Sequence, residues 1–513
     1  MILPECTNDP SGQNADLQTV LHEHGLELTP DGEYVRWATS NQNHPRNWSA
    51  VRKVYDSSLI IFLDLFTTAI STAGSPAADH SHQEYGISRV LAIFIFVSLY
   101  LFGQGIGGII FPAYSEAFGR KNLYIISTGL YSVFCVIVGV VPSIAGVVVG
   151  RFFSGFLSAI PTIVVAGSIE DMFNSKGRVW MIFLWAMVAN MGLVLGPIMS
   201  VYIIARLGWR WVFYIAAIVT AVVTLLMLFI RESRPSLLLT REVARLQKTA
   251  PPSIQGRSLC PLNPDHTPDL QTFARMALFR PLRLFFTEPI VFLVSVMSAV
   301  AFALIYLFTE ALPPIFQSMG FNAQSSSLPF LAIGIGLCAG LFTRIADHRA
   351  LTKYQKAGVT PQPEHKLLGF SIGAPVLAIG LWWFAWTIPP RVEGVHWVVP
   401  CVALVLIGYA LNEFDAVLAG YLADSYLSYA ASGFAALALV RSCLSAVFPL
   451  FAGQMFDGLG ANVAASVLAA VATVFCLVPP LFARYGARIR ARSEFARYSL
   501  KVYEDNGIDK EGY

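Results

Sequence analysis

Twelve stretches of the sequence, each of about twenty mostly apolar residues, are long enough to cross a lipid bilayer as helices. The hydrocarbon interior offers no partners for backbone N–H and C=O groups, so chain inside it must be helical or form a closed barrel. The stretches are 54–74, 90–111, 122–141, 143–168, 179–203, 209–230, 289–310, 327–343, 367–387, 396–423, 432–456 and 462–483. We therefore predict an all-α membrane protein with twelve transmembrane helices, called spans 1 to 12 below.

The composition agrees with this class. Of the 513 residues, 55% are hydrophobic and only 13% are charged, whereas soluble domains carry about 25% charged residues. A mean hydropathy of +0.59 excludes a disordered chain, a fibrous chain and an ordinary soluble enzyme. We expect the lipid bilayer, and no nucleic acid, as a partner. The seven cysteines include no C-x-x-C pair, so neither a structural disulfide nor a metal site is expected.

A polar, proline-containing segment separates the spans into two groups of six. The predicted organisation is a tail 1–53, a six-helix bundle 54–230, a central loop 231–288, a second six-helix bundle 289–484 and a tail 485–513. The central loop has one predicted amphipathic helix around Ser236–Lys248. With both termini on one side, 29 of the 35 Lys and Arg fall on that side and four on the other. The positive-inside rule therefore predicts that both termini are cytoplasmic.

Charged residues within the spans are the most informative ones. A charge at mid-bilayer costs about 2.5–3.5 kcal/mol on insertion scales, so such a side chain usually faces a partner or a polar path. Glu413 and Asp415 lie two apart, and a helix directs them about 200° from one another, so both cannot face one site. Arg151 could instead pair helices or snorkel, and Glu310 could lie at the membrane interface. The six residues are Asp64, Arg151, Glu310, Glu413, Asp415 and Arg441.

Aromatic and glycine-rich stretches within the spans carry weaker signals. Tyr306 and Tyr409 could line a pocket for a large flat ligand, although most such rings face lipid or a neighbouring helix. The run 103–108 fits G-x-G-x-x-G, but it lies inside one apolar span, where small residues allow close helix packing. The sequence has no G-K-[ST], so it lacks the phosphate-binding loop of an ATPase.

Several motifs in order resemble the major facilitator superfamily, in its fungal twelve-helix drug:proton antiporter branch. The segment from Gly108 to Lys121 is similar to the signature loop G-x-x-x-D-R-x-G-R-K of that superfamily. Here Glu116 stands at the acidic position, Ala117 replaces the first arginine, and Gly119, Arg120 and Lys121 complete the loop. The resemblance implies that this loop is a conformational switch, in which a salt bridge latches one state.

The resemblance continues over 43–493. The segment from Arg151 to Gly155 is similar to the R-x-x-x-G motif implicated in proton coupling. Gly192, Gly196 and Pro197 resemble the antiporter motif G-x-x-x-G-P. In the second half, 421–432, 441–451 and 485–493 match the pattern of the family as well. The expected fold is therefore two six-helix bundles that rock about a central cavity.

The mechanism implied is proton-coupled antiport without a cofactor, since one proton crossing 100 mV releases about 2.3 kcal/mol. Asp64 is the preferred proton carrier, with Arg151 as its basic neighbour; Glu310 or Glu413 is the alternative. The substrate-cavity candidates are Asp415, Tyr306, Tyr409 and Arg441. Glu413 and Asp415 replace residues that are apolar or small in relatives, so they are candidates for what distinguishes this member.

The expected substrate is a bulky amphipathic organic compound such as a toxin, a drug or a fungal secondary metabolite. A polyamine is the rival within transport, because Glu310, Glu413 and Asp415 could pair with ammonium groups. A non-transporting membrane sensor is the alternative from another class, although its usual long cytoplasmic extensions are absent from the sequence. We expect a monomer in the plasma membrane, with the vacuolar membrane as the alternative location.

Overall fold

The computed structural model describes residues 14–29, 34–38, 41–249, 259–262, 279–356, 363–392, 394–426 and 430–497. Within these residues, twelve helices are long and apolar enough to cross a membrane, as predicted. The parts of the predicted tails and central loop that fall in 1–13, 250–258, 263–278 and 498–513 lie outside the described residues. Which side of the membrane holds the termini stays a prediction.

The spans of the first half each begin and end near the predicted bounds. They are span 1 (Ala50–Thr72, continued by Gly74–Glu84), span 2 (Arg89–Ile93, a π-helical turn Phe94–Ser98, then Leu99–Phe118), span 3 (Lys121–Val140), span 4 (Ile144–Ala159, a π-helical turn Ile160–Val164, then Val165–Met172), span 5 (Ser175–Leu207) and span 6 (Arg210–Met227).

The second half is built in the same way. Its helices are span 7 (Pro289–Ser318), span 8 (Phe330–Lys356), span 9 (Leu368–Thr387), span 10 (Val398–Tyr426), span 11 (Ala430–Leu459) and span 12 (Ala461–Phe475, continued by Val478–Arg492). Short helices Arg280–Thr287, Ser325–Ser327 and Pro363–Lys366 connect them.

The two halves repeat one packing pattern. Span 4 packs on spans 2 and 3, span 5 on span 1 and span 6 on span 3, while span 10 packs on spans 8 and 9, span 11 on span 7 and span 12 on span 9. Glycines allow the closest approaches. A Cβ on Gly155 of span 4 would collide with the Tyr100 carbonyl oxygen of span 2, and one on Gly408 of span 10 with the Ile333 carbonyl oxygen of span 8.

The bundles meet along three pairs of helices. Span 2 packs on span 11, and span 5 packs on spans 8 and 10. The glycine-rich run predicted to pack helices does so: Gly103 and Gly107 approach the backbone of span 4, and Gly108 approaches Ala438 of span 11. We call the end of the bundles where span 1 begins the tail side, and the other end the far side.

The tail side carries a small folded unit that departs from the all-α prediction. Strands Leu26–Leu28 and Tyr34–Trp37 pair antiparallel, and Cys260–Pro261 of the central loop pairs parallel to the second strand. Helices Asn14–Glu23 and Pro235–Thr249 flank this sheet. The second helix is the predicted amphipathic one. Together these elements bury an apolar cluster of Leu21, Leu26, Val35, Leu239, Val243 and Leu246.

Candidate transport site and gates

Asp64 lies fully buried in span 1, where the first bundle faces the second. The Thr162 hydroxyl of span 4 donates to its Oδ1 at 2.8 Å, and the Trp185 indole of span 5 donates to its Oδ2 at 2.7 Å. Gln104 of span 2 in turn donates to Thr162 at 3.3 Å. Among the described residues no Lys or Arg lies within salt-bridge distance of Asp64. Its carboxylate is therefore held by neutral donors alone.

The other half of this site comes from the second bundle. Arg441 of span 11 donates to Asp415 Oδ1 of span 10 at 3.1 Å, and Asn190 of span 5 donates to Asp415 Oδ2 at 3.3 Å. The guanidinium lies over the Phe302 ring, 4.4 Å from its centroid. Both charges are close enough to Asp64 to act on it electrostatically. The cluster of Asp64, Thr162, Trp185, Asn190, Asp415 and Arg441 is called the central cluster below.

Arg151 is not the neighbour of Asp64 that the sequence led us to expect. It is fully buried in span 4. Its Nε donates to the Phe96 carbonyl oxygen of span 2 at 2.7 Å, and its Nη2 donates to the same oxygen. The ring of Tyr100 lies 4.5 Å from the guanidinium carbon and that of Phe213 lies 5.3 Å from it. Phe96 lies in the π-helical turn of span 2, where the backbone hydrogen bonds depart from the α-helical pattern.

Glu310 links the two bundles on the far side instead of lying at an exposed interface. Its side chain is 1% exposed and accepts from Arg89 of span 2 at 2.7 Å and from the Ser75 hydroxyl of span 1. Arg89 also donates to Asp79 at 2.6 Å. Near this group, the Tyr306 hydroxyl of span 7 is 2.7 Å from the Ser71 hydroxyl of span 1. Direct hydrogen bonds therefore hold the far side closed.

The predicted switch loop joins spans 2 and 3 on the tail side. Gly119 has φ +89°, a conformation that favours glycine, and a Cβ there would lie 2.7 Å from the Glu232 carboxylate. That carboxylate accepts the backbone N–H groups of Arg120 and Lys121 at 3.0 Å, and so caps the start of span 3.

The acidic partner of the loop is a different residue from the predicted one. Arg120 is buried and pairs with Asp171 at the end of span 4, at 3.1 Å, whereas Glu116 is exposed. Glu116 lies in the last turn of span 2, three residues before Gly119. The salt bridge expected of this loop therefore ties it to span 4.

The predicted antiporter motif packs span 5 on span 1. A Cβ on Gly192 would collide with the Leu65 carbonyl oxygen, and one on Gly196 with the Ala69 carbonyl oxygen. Pro197 lies inside the helix one residue later. This contact runs beside Asp64, so it positions the Trp185 donor, which lies two turns earlier on span 5.

Glu413 and Tyr409 lie away from the central cluster. Glu413 is 3% exposed and packs against Gly369 and Gly373 of span 9, as its separation from Asp415 along the helix requires. The Tyr409 hydroxyl is 2.6 Å from the Thr343 hydroxyl of span 8. Of the four predicted cavity residues, Asp415 and Arg441 thus join Asp64, Tyr306 belongs to the far-side contacts, and Tyr409 belongs to the interior of the second bundle.

The sequence did not predict the uncharged partners of the central cluster or the acidic partners of the switch loop. Thr162, Trp185 and Asn190 are polar side chains within spans 4 and 5, but residues of these types carry no charge that would mark them. Asp171 lies in the last turn of span 4, and Glu232 lies between span 6 and the helix Pro235–Thr249. An inspection of acids within one turn of each tail-side helix end would have found both.

The profile of the Major Facilitator Superfamily matches residues 58–449 of the chain, which is more than two thirds of it. The chain belongs to the major facilitator superfamily. It is 32% identical to the multidrug transporter TPO1_2 of Candida glabrata over 93% of its own length and 80% of the relative. It is 31% identical to the MFS-type transporter hepF of Aspergillus oryzae over 92% and 96% of the two chains.

These relatives confirm the fungal branch of the superfamily that the motifs indicated. Among solved structures, the proton:xylose symporter XylE has a TM-score of 0.59 at 16% identity, over 85% of this chain and 97% of that one. At such low identity this likeness concerns the fold alone, and it confirms two bundles of six helices. The chain is thus a multi-pass membrane protein of a transporter superfamily.

Proposed function

We propose that this facilitator-superfamily protein exports bulky amphipathic organic compounds in exchange for protons. The observation that carries the proposal is Asp64, a buried carboxylate at the contact of the two bundles that is held only by neutral donors. A carboxylate without a cationic partner is costly within a membrane and is readily neutralised, either by a proton or by a cationic group of a substrate. The names of the multidrug and metabolite transporters among the relatives support the same substrate class.

The cycle begins with the far side closed and the substrate arriving from the tail side. It binds at the central cluster, beside Trp185 and the Phe302–Arg441 stack, where aromatic rings accommodate a flat apolar body. Protonation of Asp64 and binding of the substrate are mutually exclusive. The bundles rock to open the far side, the substrate leaves and a proton takes its place.

The two far-side links open in the same step. Arg89 must leave Glu310, and Ser71 must leave Tyr306, before the bundles can part there. On the tail side, the Arg120–Asp171 pair and the Glu232 cap keep spans 2, 3 and 4 together as one body while they move. The switch loop thus acts within the first bundle.

The contacts favour amphipathic compounds over polyamines. Two of the three carboxylates invoked for polyamine binding, Glu310 and Asp415, already have arginine partners, and the third, Glu413, lies away from the central cluster. A chain of several ammonium groups would therefore meet one free carboxylate, Asp64. The sensor alternative makes a different prediction, since it requires no net movement of any compound.

Efflux from a yeast strain depleted of its own exporters tests the proposal. Cells that express the chain are loaded with a fluorescent aromatic dye or with radiolabelled spermidine, and efflux is followed with and without a protonophore. We expect dye efflux that collapses with the protonophore, and little spermidine efflux. Spermidine efflux faster than dye efflux would overturn the substrate class, and dye efflux that survives the protonophore would overturn proton coupling.

A pair of variants assigns the coupling to Asp64. Asp64→Asn keeps the shape of the side chain but not its charge, and we expect loss of protonophore-sensitive efflux. Glu170→Gln is the control, because that carboxylate is 60% exposed at the tail-side end of span 4. Full proton-driven efflux by a correctly inserted Asp64→Asn protein would sink the assignment. A correctly localised wild-type chain that moves nothing would favour the sensor.

A further inference from the structure

The interior of the second bundle contains two adjacent polar residues that the transport cycle does not use. Asn412 is 0% exposed and Glu413 is 3% exposed, both on span 10. Their side chains converge on Gly340 of span 8. A Cβ at that glycine would collide with the Asn412 amide and would lie 3.1 Å from Glu413 Oε1.

These polar atoms lack the partners that buried groups normally have. Neither Nδ2 nor Oδ1 of Asn412 has a hydrogen-bond partner in the part of the chain that the structure describes. In the same residues, no Lys or Arg lies within salt-bridge distance of Glu413. An unsatisfied buried polar group costs about 1–3 kcal/mol, and a buried unpaired charge costs more. The unsatisfied Asn412 amide and the Glu413 carboxylate face the same point of the second bundle.

The nearest cation is already engaged. Arg344 of span 8 pairs with Asp347 at 3.5 Å, and its guanidinium lies over the Phe183 ring of span 5, 5.4 Å from the centroid. The titratable and charged groups that act on Glu413 are thus Tyr409 on its own helix and Arg344 and Asp347 on span 8. On span 9, Gly369 and Gly373 pack against it. One negative charge is left without a counterpart.

Oxygen atoms of three side chains near this point are of the kind that hard cations prefer. The Glu413 carboxylate, the Asn412 amide oxygen and the Thr343 hydroxyl, which lies 2.6 Å from the Tyr409 hydroxyl, are ligands of that kind. Gly369 and Gly373 leave the room that the carboxylate occupies, since a Cβ on Gly369 would collide with it. A single uncompensated carboxylate among neutral oxygens matches one positive charge.

We propose that Glu413 and Asn412 bind a small monovalent cation, a sodium ion or a proton, inside the second bundle and apart from the central cluster. The site lies among spans 8, 9 and 10. Span 8 also contacts span 5 of the first bundle through Arg344 and Phe183, so occupancy of the site is transmitted to the contact between the bundles. Cation binding at this site can be measured without any exported compound. The result therefore neither depends on the export proposal nor tests it.

The sodium arm of the test uses the purified full chain in detergent. Its thermal unfolding is measured in sodium chloride and in choline chloride of equal concentration, at mildly alkaline pH. A ligand that binds the folded state alone raises the unfolding temperature with its concentration. If the site takes sodium, we expect a rise of several degrees that saturates, and loss of that rise in Glu413→Gln.

The proton arm uses infrared difference spectra of the same protein across a pH titration. A protonated Glu413 gives the carbonyl stretch of a carboxylic acid at neutral pH, and this band disappears in Glu413→Gln. Because this band is measured in the wild-type protein, the result does not depend on whether a variant folds. Sodium that shifts the titration of this band to lower pH would show that the two cations compete for one site.

Two glycine variants distinguish the loss of the cation site from a general disturbance of helix packing. Gly369→Ala places a methyl group where the carboxylate lies, so we expect it to abolish the cation effect without changing any donor. Gly420→Ala is the control on span 10, because a Cβ there has no atom within 4 Å. The proposal is overturned if sodium has no specific effect and no Glu413-dependent carboxylic-acid band exists, or if Gly420→Ala removes the cation effect as fully as Gly369→Ala.

Discussion

In the first bundle the buried Arg151 of span 4 binds a backbone carbonyl oxygen of span 2. In the second bundle Glu413 of span 10 is also buried, but no Lys or Arg among the described residues lies within salt-bridge distance of it. Spans 4 and 10 occupy the same place in the repeated packing pattern, each between two neighbours of its own half. The two halves therefore share a backbone arrangement and differ in how a buried charge is compensated.

The two bundles differ in where the partners of their buried charged side chains come from. The first bundle supplies its own partners: a carbonyl oxygen for Arg151, Asp171 for Arg120, and Thr162 with Trp185 for Asp64. In the second bundle, Glu310 relies on Arg89 and Ser75 of the first. Loss of the Glu310 charge should thus act on the contact between the two bundles.

The largest expected difference concerns the charged pairs at the tail side. Arg120 and Asp171 are both less than a tenth exposed, while Lys366 and Asp424 of the second bundle are each more than a quarter exposed. We expect Asp171→Asn to lower the free energy of unfolding by about 3–5 kcal/mol, because it leaves a buried guanidinium unpaired. Asp424→Asn should cost about 0–1 kcal/mol. Thermal unfolding in detergent measures both, and equal losses would contradict the comparison.

The next effect tests whether the two halves are packed alike. Gly155→Ala and Gly408→Ala each introduce a methyl group against a carbonyl oxygen of the neighbouring span, and overpacking of this kind costs about 1–3 kcal/mol. We expect similar losses of thermal stability in the two variants. Gly420→Ala is the matched control and should be neutral or slightly stabilising, because alanine favours the helix. A loss confined to one bundle would show that the repeat does not extend to packing tolerance.

A smaller effect is expected at the far-side contact between the bundles. Glu310→Gln removes the charge that Arg89 binds, and should increase the fraction of molecules open at the far side. In a cysteine-depleted background, a cysteine at Ser71 should react about five times faster with an impermeant thiol reagent, which corresponds to about 1 kcal/mol.

The control for this variant is Glu84→Gln, whose carboxylate pairs with Arg210 at 2.6 Å on the same side but within the first bundle. It should leave the labelling rate at Ser71 unchanged. Faster labelling in both variants would mean that the far side responds to any lost charge and that Glu310 has no special position.

The last expected effect is a pH dependence of the tail segment around His44. No described segment of the second bundle corresponds to this tail. Burial first, and then Arg46 and Lys53, lower the pKa of His44 to about 4, and its Nδ1 accepts from the Arg46 N–H at 3.1 Å. The unfolded segment binds a proton below its ordinary pKa of 6.5, while the folded one stays neutral until about pH 4. Stability of the folded segment is therefore complete above that ordinary value and is lost as the pH falls toward 4.

Limited proteolysis between the tail helix and span 1 measures this effect. We expect cleavage to accelerate as the pH falls across that window, after correction for the protease's own pH dependence. His44→Asn cannot be protonated there, and its cleavage should not depend on pH. An acceleration that persists in His44→Asn would assign the pH dependence to another group.

The sequence predicted the helices well because a bilayer leaves few alternatives for long apolar stretches. It also predicted that Glu413 and Asp415 face apart, since helical geometry alone requires it. The amphipathic helix around Ser236–Lys248 was predicted from the local sequence in the same way. Each of these predictions depends on residues close together along the chain.

What could not be predicted depends on partners without a sequence signal. Arg151 binds a backbone carbonyl oxygen, a group that every residue has, so no pattern could distinguish Phe96 from its neighbours. Asp64 binds a threonine and a tryptophan about one hundred residues away or more. The pairing of Tyr34 with Cys260 joins segments more than two hundred residues apart, and both strands are too short to alternate visibly.

That strand pairing orders events during synthesis. The tail hairpin is made before any membrane helix, yet the strand that completes its sheet, Cys260–Pro261, is made only after the sixth span. Until then the hairpin has an open edge and half of its apolar cluster, because Leu239, Val243 and Leu246 also come late. The sheet of the tail can therefore form only after spans 1 to 6 have been synthesised. The moment at which the tail becomes resistant to protease during translation would mark the completion of the first half.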